Sequence, residues 1–321
     1  MSKEMILEKI DQAVKILNEK NIDMWMTFVR ETGNMKDPMM DMIVGTNATW
    51  SSAFIITKNG DTHAIIGSLE LANMQTIGTY KEIHPYLKSV REDLLKVLDM
   101  YKPEKIAINF SRNSTLADGL PHGLYLELLD HLKETNYSNA LISSEEIVAA
   151  LRGRKSQTEL DLMKGAIKET LKIFDEVTKY LRPGLTEKQV AAFVHDLTEK
   201  RGFGLAWDKE YCPSVFTGPD TAGAHSGPTD RVIEAGHVIN MDFGIKYKDY
   251  CSDLQRTWYV LNPREDKAPA EVQKGFDVIV ESITRSANDL KPGKKGYEID
   301  EIARNYIQVH GYSEYPHGLG H

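Results

Sequence analysis

The feature that most restricts the fold of this chain is an internal repeat. Leu181-Arg-Pro-Gly184 recurs as Leu290-Lys-Pro-Gly293, and Arg201-Gly-Phe203 recurs as His310-Gly-Tyr312. Both matches keep one offset, 109 residues (181 to 290 and 201 to 310), so no gap separates them. The same offset sets Val190 against Ile299 and Phe193 against Ile302, which preserves the buried face of a helix. The reading is a duplicated helix, Pro-Gly turn, helix unit. The first copy runs on into a β-rich stretch, whereas the second reaches only its helices by Tyr312. Without a second sheet half the strands of the first would keep an open edge. The expectation is therefore a natural chain that continues for roughly 50 to 80 residues more.

The β-rich stretch is Val238 to Val260, VINMDFGIKYKDYCSDLQRTWYV, two apolar runs joined by Tyr247-Lys248-Asp249. It reads as a β-hairpin. Asp242 and Asp253 are equidistant from a turn centred between Tyr247 and Lys248, which predicts a directly opposed pair with Cβ atoms about 5 Å apart. Two carboxylates held that close repel unless a proton or a cation sits between them. The chain closes with Pro316-His-Gly-Leu-Gly-His321, a glycine-loosened segment carrying two imidazoles. Paired carboxylates and a distant histidine suggest a site for divalent metal. The plainer reading is a hairpin that exposes two solvated acids.

Length and composition frame these motifs. A chain of 321 residues suggests two domains, and 41% hydrophobic with 27% charged residues is ordinary for a globular protein. A net charge of −8 argues against a nucleic-acid or anionic-membrane surface. Two cysteines, Cys212 and Cys251, make a disulfide framework unexpected and fit a reducing compartment. No apolar run approaches the ~18 residues of a membrane span, so the expected location is the cytoplasm.

Residues 1–150 read as an α/β domain. Ile6, Leu7, Ile10, Val14 and Leu17 form the apolar stripe of a first helix, and Asn59-Gly60 marks a hairpin within Ser51 to Gly67. A helix near 90–100, a strand near 105–110 and a helix near 124–132 follow. His63, His84, His122 and His131 are isolated in sequence and are read as structural. Residues 151–321 open with a capping box, Ser156-Gln-Thr-Glu159, leading a helix that buries Leu160, Met163, Ile167, Phe174 and Val177.

Four segments then carry a family resemblance: Ala224-His-Ser-Gly-Pro-Thr-Asp230, Asp242-Phe-Gly244, Tyr250-Cys-Ser-Asp253 with Arg256-Thr257, and His317-Gly-Leu-Gly-His321. In their order and spacing they resemble the creatinase/prolidase/methionine-aminopeptidase family of pita-bread metallopeptidases, in its proline-specific branch. The resemblance implies an α+β fold: a creatinase-like α/β domain over residues 1–150, then a pseudo-two-fold pita-bread domain over 151–321 whose second half is incomplete. It implies that Asp242 is a terminal metal ligand, Asp253 a carboxylate bridging two ions, and His321 the imidazole ligand. His225 matches the substrate-facing histidine that stabilises an oxyanion, and His317 packs behind His321 or orients substrate. Two Glu ligands of the family would fall beyond His321.

Oxygen-rich ligation with one imidazole favours two Mn²⁺ ions, with Co²⁺, Zn²⁺ or Fe²⁺ as alternatives. The implied activity is hydrolysis of Xaa-Pro bonds in short peptides by a homodimer, as a dipeptidase rather than an aminopeptidase P. The competing readings are a creatinase-like, metal-independent C–N hydrolase and a non-catalytic peptide- or histone-binding module. Retention of both Asp242 and Asp253 argues against the first, and the near-complete ligand set implied by the resemblance argues against the second.

Overall fold

The structure is a computed structural model that describes residues 1–219 and 226–320. It divides into two compact units, Met1–Leu160 and Asp161–His321. The first contains α1 (Lys3–Glu19), β1 (Met24–Val29), α2 (Met40–Ile43), β2 (Ser52–Thr57), β3 (Thr62–Gly67), α3 (Leu71–Ile77), β4 (Glu82–Tyr86), α4 (Arg91–Tyr101), β5 (Ile106–Ile108), α5 (His122–His131), β6 (Leu141–Ser143) and α6 (Glu145–Gly153). Its strands form one mixed sheet in the order β4-β3-β2-β1-β5-β6. Every residue of β1, β2 and β3 is buried, because helices cover both faces. Along β1 the alternation is strict: Met24, Met26 and Phe28 pack with α4 and α5, while Trp25 and Val29 pack with α1, α2 and α6. The turn at Asn59-Gly60 joins β2 to β3, with Gly60 at φ +87°.

Two sequence expectations need correction in this unit. Leu7 is exposed; the buried stripe of α1 is Met5, Ile6, Lys9, Ile10, Ala13, Ile16 and Leu17. Lys9 can lie in that stripe because its ammonium donates to Gln12 Oε1 (2.6 Å), the Leu151 carbonyl (2.7 Å) and Glu159 Oε2 (2.9 Å). Glu159 meanwhile closes the expected capping box: it accepts the Ser156 N–H at 2.7 Å, and its own N–H donates to Ser156 Oγ at 3.2 Å. Nor are His63 and His84 isolated. Their rings stack, with His63 Nδ1 3.1 Å from His84 Nε2, and His63 Nε2 lies 2.8 Å from the Tyr101 hydroxyl. Tyr101 donates to Asp61 Oδ2 at 3.1 Å. Burial, then the Asp61 carboxylate, push the phenol up to about 12, so it remains a donor. One tautomer set satisfies the chain: His84 Nε2–H to His63 Nδ1, and His63 Nε2–H to the Tyr101 oxygen.

The second unit holds most of α7 (Gln157–Tyr180), then α8 (Glu187–Lys200), β7 (Gly204–Leu205), β8 (Ser214–Thr217), β9 (Val238–Phe243), β10 (Ile245–Tyr247), β11 (Tyr250–Cys251), β12 (Leu254–Tyr259), α9 (Ala270–Asp289) and α10 (Gly296–Val309). The duplication is visible in the element bounds. α9 ends 109 residues after α7, and α8 and α10 match at both ends under the same offset. Gly184 and Gly293 take φ +91° and +93°, a left-handed backbone that glycine adopts without strain, so both Pro-Gly turns have one geometry. The exits agree as well: Phe203 N–H reaches Thr198 O and Tyr312 N–H reaches Ile307 O. In α7, Phe174 and Val177 are buried as expected, but Leu160 and Ile167 are exposed, and Ala166, Thr170 and Ile173 complete the buried face. Among the described residues no helix is long and apolar enough to cross a membrane.

Candidate metal centre and active site

β9 is the middle strand of a three-stranded sheet, β12-β9-β8. Ile239, Met241 and Phe243 are fully buried against α7 and α8, with Phe243 edge-on to Phe174 at 6.0 Å. The alternation that buries these three turns Asn240 and Asp242 to the opposite face. Asp242 is half-buried there, flanked by Ser214 on β8 and Gln255 on β12.

The expected direct opposition of Asp242 and Asp253 is not what the register shows. Lys248 and Asp249 both take positive φ (46° and 72°), and Tyr247 pairs with Tyr250, so the turn is centred one residue later than predicted. Two successive positive φ values match the right-handed twist of the strands. Asp242 consequently opposes Gln255, and Asp253 precedes β12 on the diagonal. A two-residue displacement leaves the side-chain face unchanged in a regular pair, where diagonal neighbours lie about 7–8 Å apart.

Asp253 lies where the long strand pair passes from one sheet to the other. β9 and β12 belong to one, while β10 and β11 pair with β7 in a second. Gly244 marks the changeover: a Cβ there would come within 1.9 Å of the Ser252 carbonyl oxygen and 2.9 Å of Ala206 Cβ. Buried Ser252 fixes the crossing: its Oγ accepts the Ile245 N–H at 2.9 Å and lies 2.6 Å from Thr170 Oγ1. Cys212 Sγ donates to Gly244 O at 3.4 Å, and burial pushes this thiol up, so it stays protonated.

His317 is exposed, with its ring beside Tyr315 at 5.1 Å. Together with Gln255, Ile279, Ile283, Tyr315 and Leu319 it lines a cavity of about 360 Å³. That places His317 around the same cavity as the residue opposite Asp242. His225 and His321 lie outside the described residues. Among the described residues no group of three or more His, Cys, Asp or Glu is arranged to hold a metal ion. The donors that are described, Asp242 and Asp253, are hard oxygen ligands of the kind that suits Mn²⁺.

Sequence reasoning missed Glu187, which is buried at the first position of α8. One oxygen accepts the Thr217 N–H (2.9 Å), and the other accepts the Thr229 N–H (2.9 Å) and hydroxyl (2.6 Å). Thr217 ends β8 and Thr229 follows Ser226-Gly-Pro228, so this carboxylate ties together the two sides of the stretch that contains His225. The helix N-terminus favours its charge. The only signal in the sequence is an acid directly after the N-cap Thr186, which is usually a solvated first-turn residue.

The profile of metallopeptidase family M24 matches residues 161–321, half of the chain. An uncharacterized peptidase of Staphylococcus saprophyticus is 26% identical over 319 residues, 98% of this chain and 82% of that protein. An uncharacterized peptidase of Staphylococcus aureus is 31% identical over 175 residues, 54% of this chain and 48% of its own length, so that match spans about half of the relative. Among solved structures, an Xaa-Pro dipeptidase from Bacillus anthracis superposes with a TM-score of 0.69 at 23% identity, covering 98% of this chain and 80% of the other. An X-Pro aminopeptidase from Thermotoga maritima gives 0.68 at 23% identity over 94% and 78%. At these identities the likeness establishes the fold.

Proposed function

The chain belongs to metallopeptidase family M24, and from that premise we propose that it hydrolyses Xaa-Pro bonds in short peptides, as a dipeptidase and a cytoplasmic homodimer. The observation that carries the reading is Asp242 on the central strand of a twisted sheet with Asp253 on its diagonal, both inside the family match. With His321 they would hold two divalent ions, Mn²⁺ by the chemistry of the donors. Ions of this kind would lower the pKa of water towards neutrality and would polarise a peptide carbonyl. The chain's own groups do the rest. Asp242 and Asp253 supply the negative charge that holds the cations. His225 donates a hydrogen bond to the oxyanion of the tetrahedral species, and His317 lies along the approach of the peptide. The preference for proline rests on the likeness to proline-specific enzymes, whose substrate bond is a tertiary amide without an N–H.

In the full-length natural protein, Asp253→Asn should abolish Mn²⁺-dependent release of proline from an Xaa-Pro dipeptide, since an amide lacks the charge a carboxylate would offer the cations. His225→Ala should retain metal and lose rate by roughly 10²–10³-fold, the worth of one oxyanion donor. Unchanged turnover in both variants would reject the reading. Metal content of the full-length natural protein separates the alternatives: about two ions per chain supports the peptidase, whereas none favours a metal-free hydrolase or a binding module.

A further inference from the structure

Residues 313–320 follow α10 without helix or strand, contain Gly318 and Gly320, and are largely exposed. Such a segment has little of its own to fix its path. Two side chains of α10 nevertheless hold it at four places. Arg304 donates through Nη1 to Glu314 Oε1 (2.9 Å) and to the Tyr315 carbonyl (2.6 Å), and through Nη2 to the His317 carbonyl. Its guanidinium lies 4.3 Å over the Tyr315 ring. Asp300, one turn earlier, accepts the Arg304 Nε–H (2.5 Å), the Tyr315 hydroxyl (3.2 Å) and the Leu319 N–H (2.5 Å). The Arg304 guanidinium holds the Asp300 carboxyl below the usual range, so the pair stays ionised together. The last of these anchors is two residues from His321.

The first copy of the repeat has a related contact from the counterpart helix position, although Ala191 stands where the second copy has Asp300. At the offset of 109, position 195 is the counterpart of 304 and position 212 the counterpart of 321. His195 Nε2 lies 2.7 Å from the Cys212 carbonyl, the residue that leads into β8 beside Asp242. In each copy one helix position grips backbone beyond its own helix, at Cys212 in the first and at Tyr315 and His317 in the second.

We propose that Arg304 and Asp300 are positioning residues that set the path of residues 315–319, the segment that leads in sequence to His321, and so govern metal affinity. This rests on the metallopeptidase reading for the role of His321. The planar fork is essential, because a single side chain must reach two carbonyls while stacking on a ring.

The test is Mn²⁺ affinity of the full-length natural protein by titration calorimetry, with thermal unfolding in EDTA as the structural control. Arg304→Lys keeps the charge, so any loss of affinity reflects geometry and not field. It should raise the Mn²⁺ dissociation constant about 10–100-fold, the usual effect of disturbing a group behind a ligand, while the metal-free Tm stays near wild type. Asp300→Asn should do the same and should speed hydrogen exchange at the Leu319 amide. Arg285→Lys serves as control: Arg285 stacks on Tyr306 at 4.3 Å from the neighbouring helix and touches none of these residues, so its affinity should not move. Wild type that binds Mn²⁺ with Arg304→Lys equal to it overturns this inference alone. Wild type that binds no Mn²⁺ overturns it together with the proposed function.

Discussion

Lys9 offers the sharpest test of how the first unit is held together. Its ammonium is fully shielded from solvent, and Glu159 is only 1% exposed. Lys9→Met retains most of the volume but strands the Glu159 charge and the Leu151 carbonyl against an apolar side chain. Breaking a buried pair from one side costs about 3–5 kcal/mol. At about 2–4 °C per kcal/mol for a unit of this size, the loss in Tm should be roughly 6–20 °C. Adding Glu159→Gln removes the stranded charge and keeps an acceptor for the Ser156 N–H, so the double variant should regain part of that loss. Thermal unfolding of both singles and the double by circular dichroism closes the cycle. A Lys9→Met protein within about 2 °C of wild type, well below that range, or a double variant as unstable as the two singles added together, would refute the argument.

Two further outcomes follow from buried groups. Glu187→Gln keeps the shape but replaces one acceptor oxygen with a donor facing Thr217 or Thr229 N–H, and should cost roughly 1–3 kcal/mol in urea unfolding; no measurable cost would mean that the clasp is not formed in solution. The other concerns pH. Burial, then the neighbouring His84, hold His63 below the ordinary histidine range, against a weaker upward pull from Asp61 and Glu82. A depressed folded value means that the unfolded chain binds the proton first, so this stability is present above about pH 6.5 and lost as pH falls through the folded value. Wild-type Tm should therefore drop more between about pH 7.5 and 5.5 than that of His63→Asn, and parallel profiles would exclude His63 as the source.

Much of the fold could be read from the sequence because its signals are local. Asn59-Gly60 fixed the β2–β3 turn through two residues, and each Pro-Gly turn carried its own left-handed glycine. The repeat was legible because the duplicated helix pair has kept its length. What could not be read depends on partners far along the chain. Lys9 was left out of the apolar stripe because a periodicity count has no place for a cation, and the carboxylate that permits its burial is 150 residues away. His63 and His84 looked solitary for the same reason. Parallel pairing of β3 with β4 sets Ile65 beside His84, and only that register makes the two imidazoles neighbours.

The hairpin that carries Asp242 was legible as a strand pair but not in its register. Lys248-Asp249 lacks the glycine that announces a two-residue hairpin turn, so the turn was centred one residue early and the cross-strand partner of Asp242 was set two residues off. Because the pleat has a period of two, that error preserves the side of the sheet and changes only which residues stand opposite. Gly244 is the residue whose place now has a reason. Asp253 falls opposite it at the changeover between sheets, and the backbone can cross there only because no side chain separates Gly244 from the Ser252 carbonyl. Read as a spacer within the hairpin, Gly244 carries no information. As the point where β9 leaves one sheet and β10 enters another, it decides where Asp253 leaves the ladder, just before β12 and diagonal to Asp242 on β9.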